Sequence, residues 1–202
     1  MPLLFGLELE GFYRKSGAIT VPPETYPTDT FPGLVEIRTV GGAPLKDCYF
    51  TILKRLSELG SVDIMTARHV FTGAERAAIR ERFIDKGGVS LRNIYGRHPK
   101  LLGNATIASL QINMSNERRP AYRSKEGTNV AACYGVFDFV SIIRNLDEEF
   151  SKEIMLAKRQ PGCYAIKDDG IRVEYRSLPN FVFKTGFYDI NTVISRIEKC
   201  VR

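Results

Sequence analysis

Three short segments of the chain alternate apolar and charged residues with the two-residue period of a β-strand: Gly6-Leu7-Glu8-Leu9-Glu10-Gly11, Val35-Glu36-Ile37-Arg38-Thr39 and Val173-Glu174-Tyr175-Arg176-Ser177. Successive side chains of a strand point to opposite faces, so Glu8 with Glu10, Glu36 with Arg38 and Glu174 with Arg176 each share a side, while Leu7, Leu9, Val35, Ile37, Val173 and Tyr175 share the other. If these strands lie in one sheet, a spacing of roughly 4.8 Å brings four carboxylates and two guanidinium groups onto one surface. Such a surface can bind divalent metal and phosphate. An antiparallel sheet with one solvated face shows the same alternation. It is the recurrence of Glu-x-Arg in matching contexts that favours a site.

The chain has 202 residues and a mass of 22.8 kDa, and a single domain spanning 1–202 is expected. An apolar fraction of 44% and a charged fraction of 26% are those of a globular protein rather than a disordered or fibrous one. No stretch approaches the roughly 18 apolar residues of a membrane span, and Met1 to Phe5 is too short for a secretory segment. A soluble, cytoplasmic protein with no membrane partner is therefore expected. Cys48, Cys133, Cys163 and Cys200 form no Cys-x-x-Cys pair, and His69 and His98 are the only histidines, so a zinc site is disfavoured and reduced thiols are expected. Magnesium, which prefers oxygen ligands, suits the carboxylates better.

The net charge of +6 and pI near 9.2 permit an anionic partner such as nucleic acid or nucleotide. Positive residues gather only at Arg118, Arg119, Arg123 and Lys125, in a polar segment with Pro120 and Gly127 that reads as a surface loop, either solvated or gripping phosphate.

Periodicity predicts strands over residues 3–13, 33–40, 61–70, 105–115, 163–167 and 171–178, with helices over 44–59, 73–83, 137–158 and 188–201. Pro44 and Gly60 bound the first helix, and Asp168-Asp169-Gly170 predicts a hairpin between the last two strands. The stretch 89–103 matches neither period. On the fourth strand, Gln111 and Asn113 share a face, where their carbonyl oxygens would ligate metal if it is the acidic face and meet water if it is not. The element order implies an α+β fold: a mostly antiparallel sheet with helices on one face and the charged face left as an open cleft. Phosphate-loop, dinucleotide-binding, nucleophile-elbow and His-Glu-x-x-His motifs are all missing.

Taken in order, Gly6-Leu7-Glu8-Leu9-Glu10, Val35-Glu36-Ile37-Arg38-Thr39, Leu110-Gln111-Ile112-Asn113-Met114-Ser115 and Gly170-Ile171-Arg172-Val173-Glu174-Tyr175-Arg176-Ser177-Leu178-Pro179-Asn180 resemble the carboxylate-amine ligase (amidoligase) group. That group is related to glutamate-cysteine ligase and glutamine synthetase, and the likeness is to short versions carried by bacteriophages, which would work in the host cytoplasm.

The resemblance implies a glutamine synthetase-like catalytic fold, in which a funnel-shaped antiparallel sheet holds Mg2+ with glutamates. It implies ATP-dependent joining of a carboxylate to an amine through an acyl phosphate. On this likeness Glu8, Glu10, Glu36 and Glu174 match metal-binding carboxylates, and Arg176, with Arg38 beside it, matches a residue near the transferring phosphate. Gln111 or Asn113 stands where better-known members carry a histidine. Arg118, Arg119, Arg123 and Lys167 are the candidates for nucleotide contact. Substrates would be a carboxylate and an amine on a small molecule, a peptide or a modified base. Two other readings fit the same residues: a catalytically inactive phage-type binding protein for nucleic acid or protein, and a metal-dependent phosphohydrolase or nuclease.

Overall fold

The computed structural model describes residues 3–16, 18–24, 26, 34–39, 42–60, 62–63, 72–74, 77, 91–99, 109–116, 138–166, 172–183 and 189–202. Its strands are β1 (Leu3–Lys15), β2 (Ala18–Ile19), β3 (Leu34–Arg38), β4 (Val62–Asp63), β5 (Leu91–Asn93), β6 (Ser109–Asn116), β7 (Cys163–Ile166) and β8 (Val173–Pro179). Its helices are α1 (Leu45–Leu59), α2 (Phe139–Glu149), α3 (Ser151–Leu156) and α4 (Ile190–Cys200), with a 3-10 turn at Asn180–Phe183.

The strands form one sheet in the order β2-β1-β6-β8-β7-β5, with β3 and β4 also paired to β1. Every pairing is antiparallel. The fold is thus α+β on an antiparallel sheet, as the alternation and element order imply.

The apolar residues of these helices are buried in one cluster with Leu7, Leu9, Ile37, Ile112, Tyr175 and Leu178 of the sheet. Tyr49 of α1 meets Phe183 with ring centroids 4.3 Å apart. This packing fixes where the charged residues go. Slipping β1 by one residue would carry Phe5, Leu7 and Leu9 out of the core, forfeiting roughly 1.5–3 kcal/mol for each, and would drive Glu8 and Glu10 inward.

Three departures from the sequence-based expectations have local causes. The helix expected over 137–158 breaks at Phe150, where φ is −107° and ψ is 22°. The apolar period runs through the break, but Arg196 Nη2 donates to the Glu149 carbonyl at 2.6 Å, drawing off an oxygen the helical ladder would use. Second, the stretch without a period contains the edge strand β5, too short at three residues to show one. Third, the charged face is less open than expected, for Glu10, Glu36 and Glu174 are buried. The Asp168-Asp169-Gly170 turn, most of the strand expected over 61–70 and most of the helix expected over 73–83 lie outside the described residues. Cys48, Cys163 and Cys200 are buried.

Asp147 ties the helices to β8. Its carboxylate, 6% exposed, accepts from Tyr175 Oη at 2.6 Å and from Tyr95 Oη at 3.0 Å. Gly162, at φ +77°, lets the Tyr95 ring close over it, since a Cβ there would sit 2.6 Å from that ring. Burial raises the Asp147 carboxyl above its ordinary value, opposed by hydrogen bonds from Tyr175, the Gly162 backbone and Tyr95. A carboxyl raised by folding contributes stability that is full below its unfolded pKa and is lost as pH rises through the folded value. Asp147→Asn, which cannot titrate, is expected to lack that loss. In chemical denaturation the wild type's stability relative to the variant should be greatest in acid and shrink toward neutral pH. A difference independent of pH would refute the assignment.

Candidate functional site

On β1, the sheet's central strand in this region, Glu8 stands opposite Arg38 of β3 and Gln111 of β6, and Glu10 stands opposite Glu36. One row further along, Gly6 is the partner of Asn113, which is the partner of Glu174 on β8. Directly paired residues of antiparallel strands face the same way, so the register puts the four glutamates, Arg38 and Arg176 on the sheet face away from the core.

They are not equivalent there. Glu10 and Glu36 are a direct cross-strand pair, with Cα atoms about 5 Å apart by the pairing geometry. Glu174 is two strands from β1, roughly 10 Å across the sheet, and not on an adjacent strand. Each acid of a Glu-x-Arg word lies beside its own arginine. Arg38 Nε donates to Glu36 Oε1, and Arg176 Nε lies 3.3 Å from Glu174 Oε1. Accordingly, no three His, Cys, Asp or Glu among the described residues are grouped so as to hold a metal ion by themselves.

The Glu10/Glu36 pair places two buried acids side by side. Glu10 is 9% and Glu36 4% exposed. Two carboxylates held on neighbouring strands and shielded from water repel each other. Arg38, whose side chain is 62% exposed, offsets this from the solvent side, and the charge of buried Arg159 offsets it from within. A cation with hard oxygen preference would be attracted to this pair.

Around Arg176 the sheet is irregular. Ile112 pairs with Tyr175 and Leu110 with Leu178, so Gln111 alone opposes both Arg176 and Ser177. This is a β-bulge, a device that re-aims side chains and recurs beside functional sites. Two side chains repair the ladder nearby. Arg159 Nη2 donates to the Arg176 carbonyl at 2.8 Å, and Asn180 Nδ2 donates to the Glu10 carbonyl at 3.0 Å. The second bond fills a gap on β1 between its last β6 rung at Leu9 and its first β4 rung at Phe12.

Arg159 reaches this place because α3 ends in a Schellman-type turn. Lys158 takes φ +52°, its N–H bonds the Met155 carbonyl, and the Arg159 N–H bonds the Ile154 carbonyl at 3.0 Å. Burial pulls the Arg159 guanidinium below its ordinary value, the charge of Glu10 opposes that, and the charge of Arg176 adds to it.

Thus Glu8, Glu10, Glu36, Glu174, Arg38 and Arg176 share one face. Gln111 and Asn113 occupy rows of the same register, with their side chains outside the described residues. Arg118, Arg119, Arg123 and Lys167 lie outside the described residues as well. Sequence reasoning gave no role to Arg159 or Asn180. Asn180 closes the Val-Glu-Tyr-Arg-Ser-Leu-Pro-Asn block and could have been found from it, whereas nothing around Arg159 marks it.

Comparison of the chain with family models, curated proteins and solved structures finds no match. The class defined by fold and site is an α+β protein with a buried, mixed-charge polar face. No helix among the described residues is long and apolar enough to cross a membrane.

Proposed function

We propose that the chain is an ATP- and Mg2+-dependent carboxylate-amine ligase with a glutamine synthetase-like catalytic sheet. The observation that supports this reading best is the register, which gathers four glutamates and two arginines from β1, β3 and β8 onto one face of a single antiparallel sheet. The motif likeness to the amidoligase group supplies the reaction class, and the residues do not conflict with it.

The donor set fits magnesium. That ion is commonly held by one or two protein carboxylates, with water and substrate phosphate completing its shell, so a buried pair is enough and a closed cage is not needed. Glu10 and Glu36 are the pair that would hold it, with Glu8 next along β1. When bound, the ion would screen the phosphate charge that two carboxylates would otherwise repel.

In the proposed reaction an oxygen of the substrate carboxylate attacks the γ-phosphorus of ATP and ADP leaves. The amine nitrogen then attacks the acyl carbon, phosphate leaves, and the nitrogen gives up a proton. Arg176 would stabilise negative charge on the phosphoryl oxygens, with the buried Glu174 carboxylate as its neighbour, 3.3 Å from Nε.

The test is to incubate the protein with Mg-ATP and a panel of carboxylates and amines while following phosphate release. Release that requires both a carboxylate and an amine is expected. Release without an amine would favour the phosphohydrolase, and absence of Mg-ATP binding by calorimetry would favour the inactive binding protein.

A further inference from the structure

We propose that Tyr175 and Asp147 are positioning residues for Arg176, together forming an anchor that holds β8 to α2 from the core side of the sheet. The motif likeness gives Tyr175 only its place between Glu174 and Arg176, and Asp147 stands in a helix, outside every strand word. The inference deepens the ligase reading, and it rests on that reading for the reaction that Arg176 serves.

The backbone shows why an anchor is needed there. β8 pairs directly with β7 only as far as Tyr175, and with β6 at Tyr175 and again at Leu178. Arg176 and Ser177 fall between, sharing Gln111 across the bulge and having no direct partner on β7. A bulge disrupts the ladder and bends its strand, so ladder bonds do not by themselves fix where a bulged side chain points. Arg176 stands on that stretch.

Side chains on the core face take over from the ladder. Tyr175, fully buried, donates from Oη to Asp147 Oδ1 at 2.6 Å. The Cys163 N–H donates to Ser177 Oγ at 3.0 Å, and Ser177 in turn hydrogen-bonds Tyr175. A backbone N–H can only donate, so the Ser177 hydroxyl accepts from it and gives its own proton to Tyr175 Oη, whose proton goes to the carboxylate. Burial, with the charge of Asp147 added to it, pushes the Tyr175 phenol well above its ordinary value, so it keeps the proton it donates. One chain of hydrogen bonds thus runs from β7 through β8 to α2, ending in a charge-assisted bond, the stronger kind. Glu174 and Arg176 flank Tyr175 and leave the strand on the opposite face, so holding Tyr175 sets the backbone from which both project. The anchor does this without touching a ligand.

Asp147 has a second tyrosine donor, Tyr95 Oη at 3.0 Å on its other oxygen, and the two donors separate positioning from mere support. Tyr95 belongs to the turn after β5 and has no place in β8. A carboxylate that only holds the fold together needs both tyrosines for the same purpose. One that aims Arg176 needs Tyr175 for the site and Tyr95 for stability alone.

The experiment compares the full chain as wild type, Tyr175→Phe, Tyr95→Phe and Ser177→Ala in two measurements: Mg-ATP turnover well below the lowest melting temperature, and amide hydrogen exchange of peptides covering β8. Phenylalanine removes only the hydroxyl. Tyr175→Phe is expected to lower kcat about 10- to 100-fold with little change in KM for ATP, the effect of a misplacement of about 1 Å at a reacting centre, and to speed exchange over residues 174–177. Tyr95→Phe should lower the melting temperature and leave kcat and β8 exchange at their wild-type values. Equal losses of kcat in the two tyrosine variants, or no loss in Tyr175→Phe, overturn the proposal. Should Tyr175→Phe not fold, Ser177→Ala cuts the next link of the same chain, and it must show the same contrast with Tyr95→Phe or the proposal falls. Faster β8 exchange in Tyr175→Phe but not in Tyr95→Phe, without Mg-ATP turnover in any sample, keeps the anchor and discards the ligase. Wild-type turnover with neither kcat nor exchange altered in Tyr175→Phe does the reverse.

Discussion

Glu10→Gln is expected to lower Mg-ATP turnover by at least about 100-fold, a range set by what removal of one transition-state electrostatic contact costs, while changing the melting temperature little. Two effects on stability oppose each other. Glutamine keeps the shape of Glu10 and relieves its like-charge pairing with Glu36, but it also takes away the charge that supports the buried Arg159 guanidinium. The same change takes away half of the negative charge that would attract magnesium, so the concentration of Mg2+ giving half-maximal rate should rise. The Glu10 carbonyl, which accepts from Asn180, is untouched, so the local backbone keeps its support. Steady-state phosphate release and a thermal melt on the same samples check both halves. A variant that melts earlier and turns over normally would show Glu10 to be structural, and the proposed site would lose its centre.

What the sequence discloses and what it hides divide along a physical line. Period-two alternation is a local property, and it placed β1, β3 and β8 within a few residues of their bounds and their acids on the correct face. Gly60, at φ +62°, ends α1 where a glycine was expected to end it. Strand order is not local. Nothing in Val-Glu-x-Arg says that β6 separates β1 from β8, and this separation is why the four glutamates share a face without forming one cluster. The bulge at Arg176 and Ser177 is invisible for a related reason, because it is a mismatch of count between two strands and leaves no mark in either. Arg159 was missed because a lysine, Lys158, occupies the left-handed position that usually advertises itself with glycine. The break at Phe150 was missed because the residue that causes it, Arg196, is far away in the chain.

Arg196→Met is expected to cost about 3–5 kcal/mol of folding stability, the largest single effect anticipated outside the sheet, because it strands buried charge. Arg196 Nη1 donates to Glu153 Oε1 at 2.8 Å and Nε donates to Glu149 Oε1 at 2.7 Å, and the guanidinium lies 4.1 Å from the Phe150 ring centroid. Burial pulls this arginine's pKa down, but its hydrogen bonds to Glu153 and Glu149 outweigh that and hold it above its ordinary value. Methionine can replace the packing against Phe150 and cannot replace the charge. The Glu153 side chain, 4% exposed, would remain as a buried anion, whereas that of Glu149, at 25%, can turn to water. Two further measurements separate lost charge from lost packing. Replacing both residues, Arg196→Met with Glu153→Leu, should recover most of the stability, since an ion pair exchanged for apolar groups is often neutral. Lowering the pH should also narrow the deficit of the single variant. Without its partner Glu153 would have a folded pKa above its unfolded value, so its contribution is full in acid and is lost as pH rises through the folded value, making the deficit grow toward neutrality. A loss under about 1 kcal/mol, or one that ignores pH, would mean that solvent reaches Glu153 and that the pairing across α2, α3 and α4 has only the small worth of a surface salt bridge.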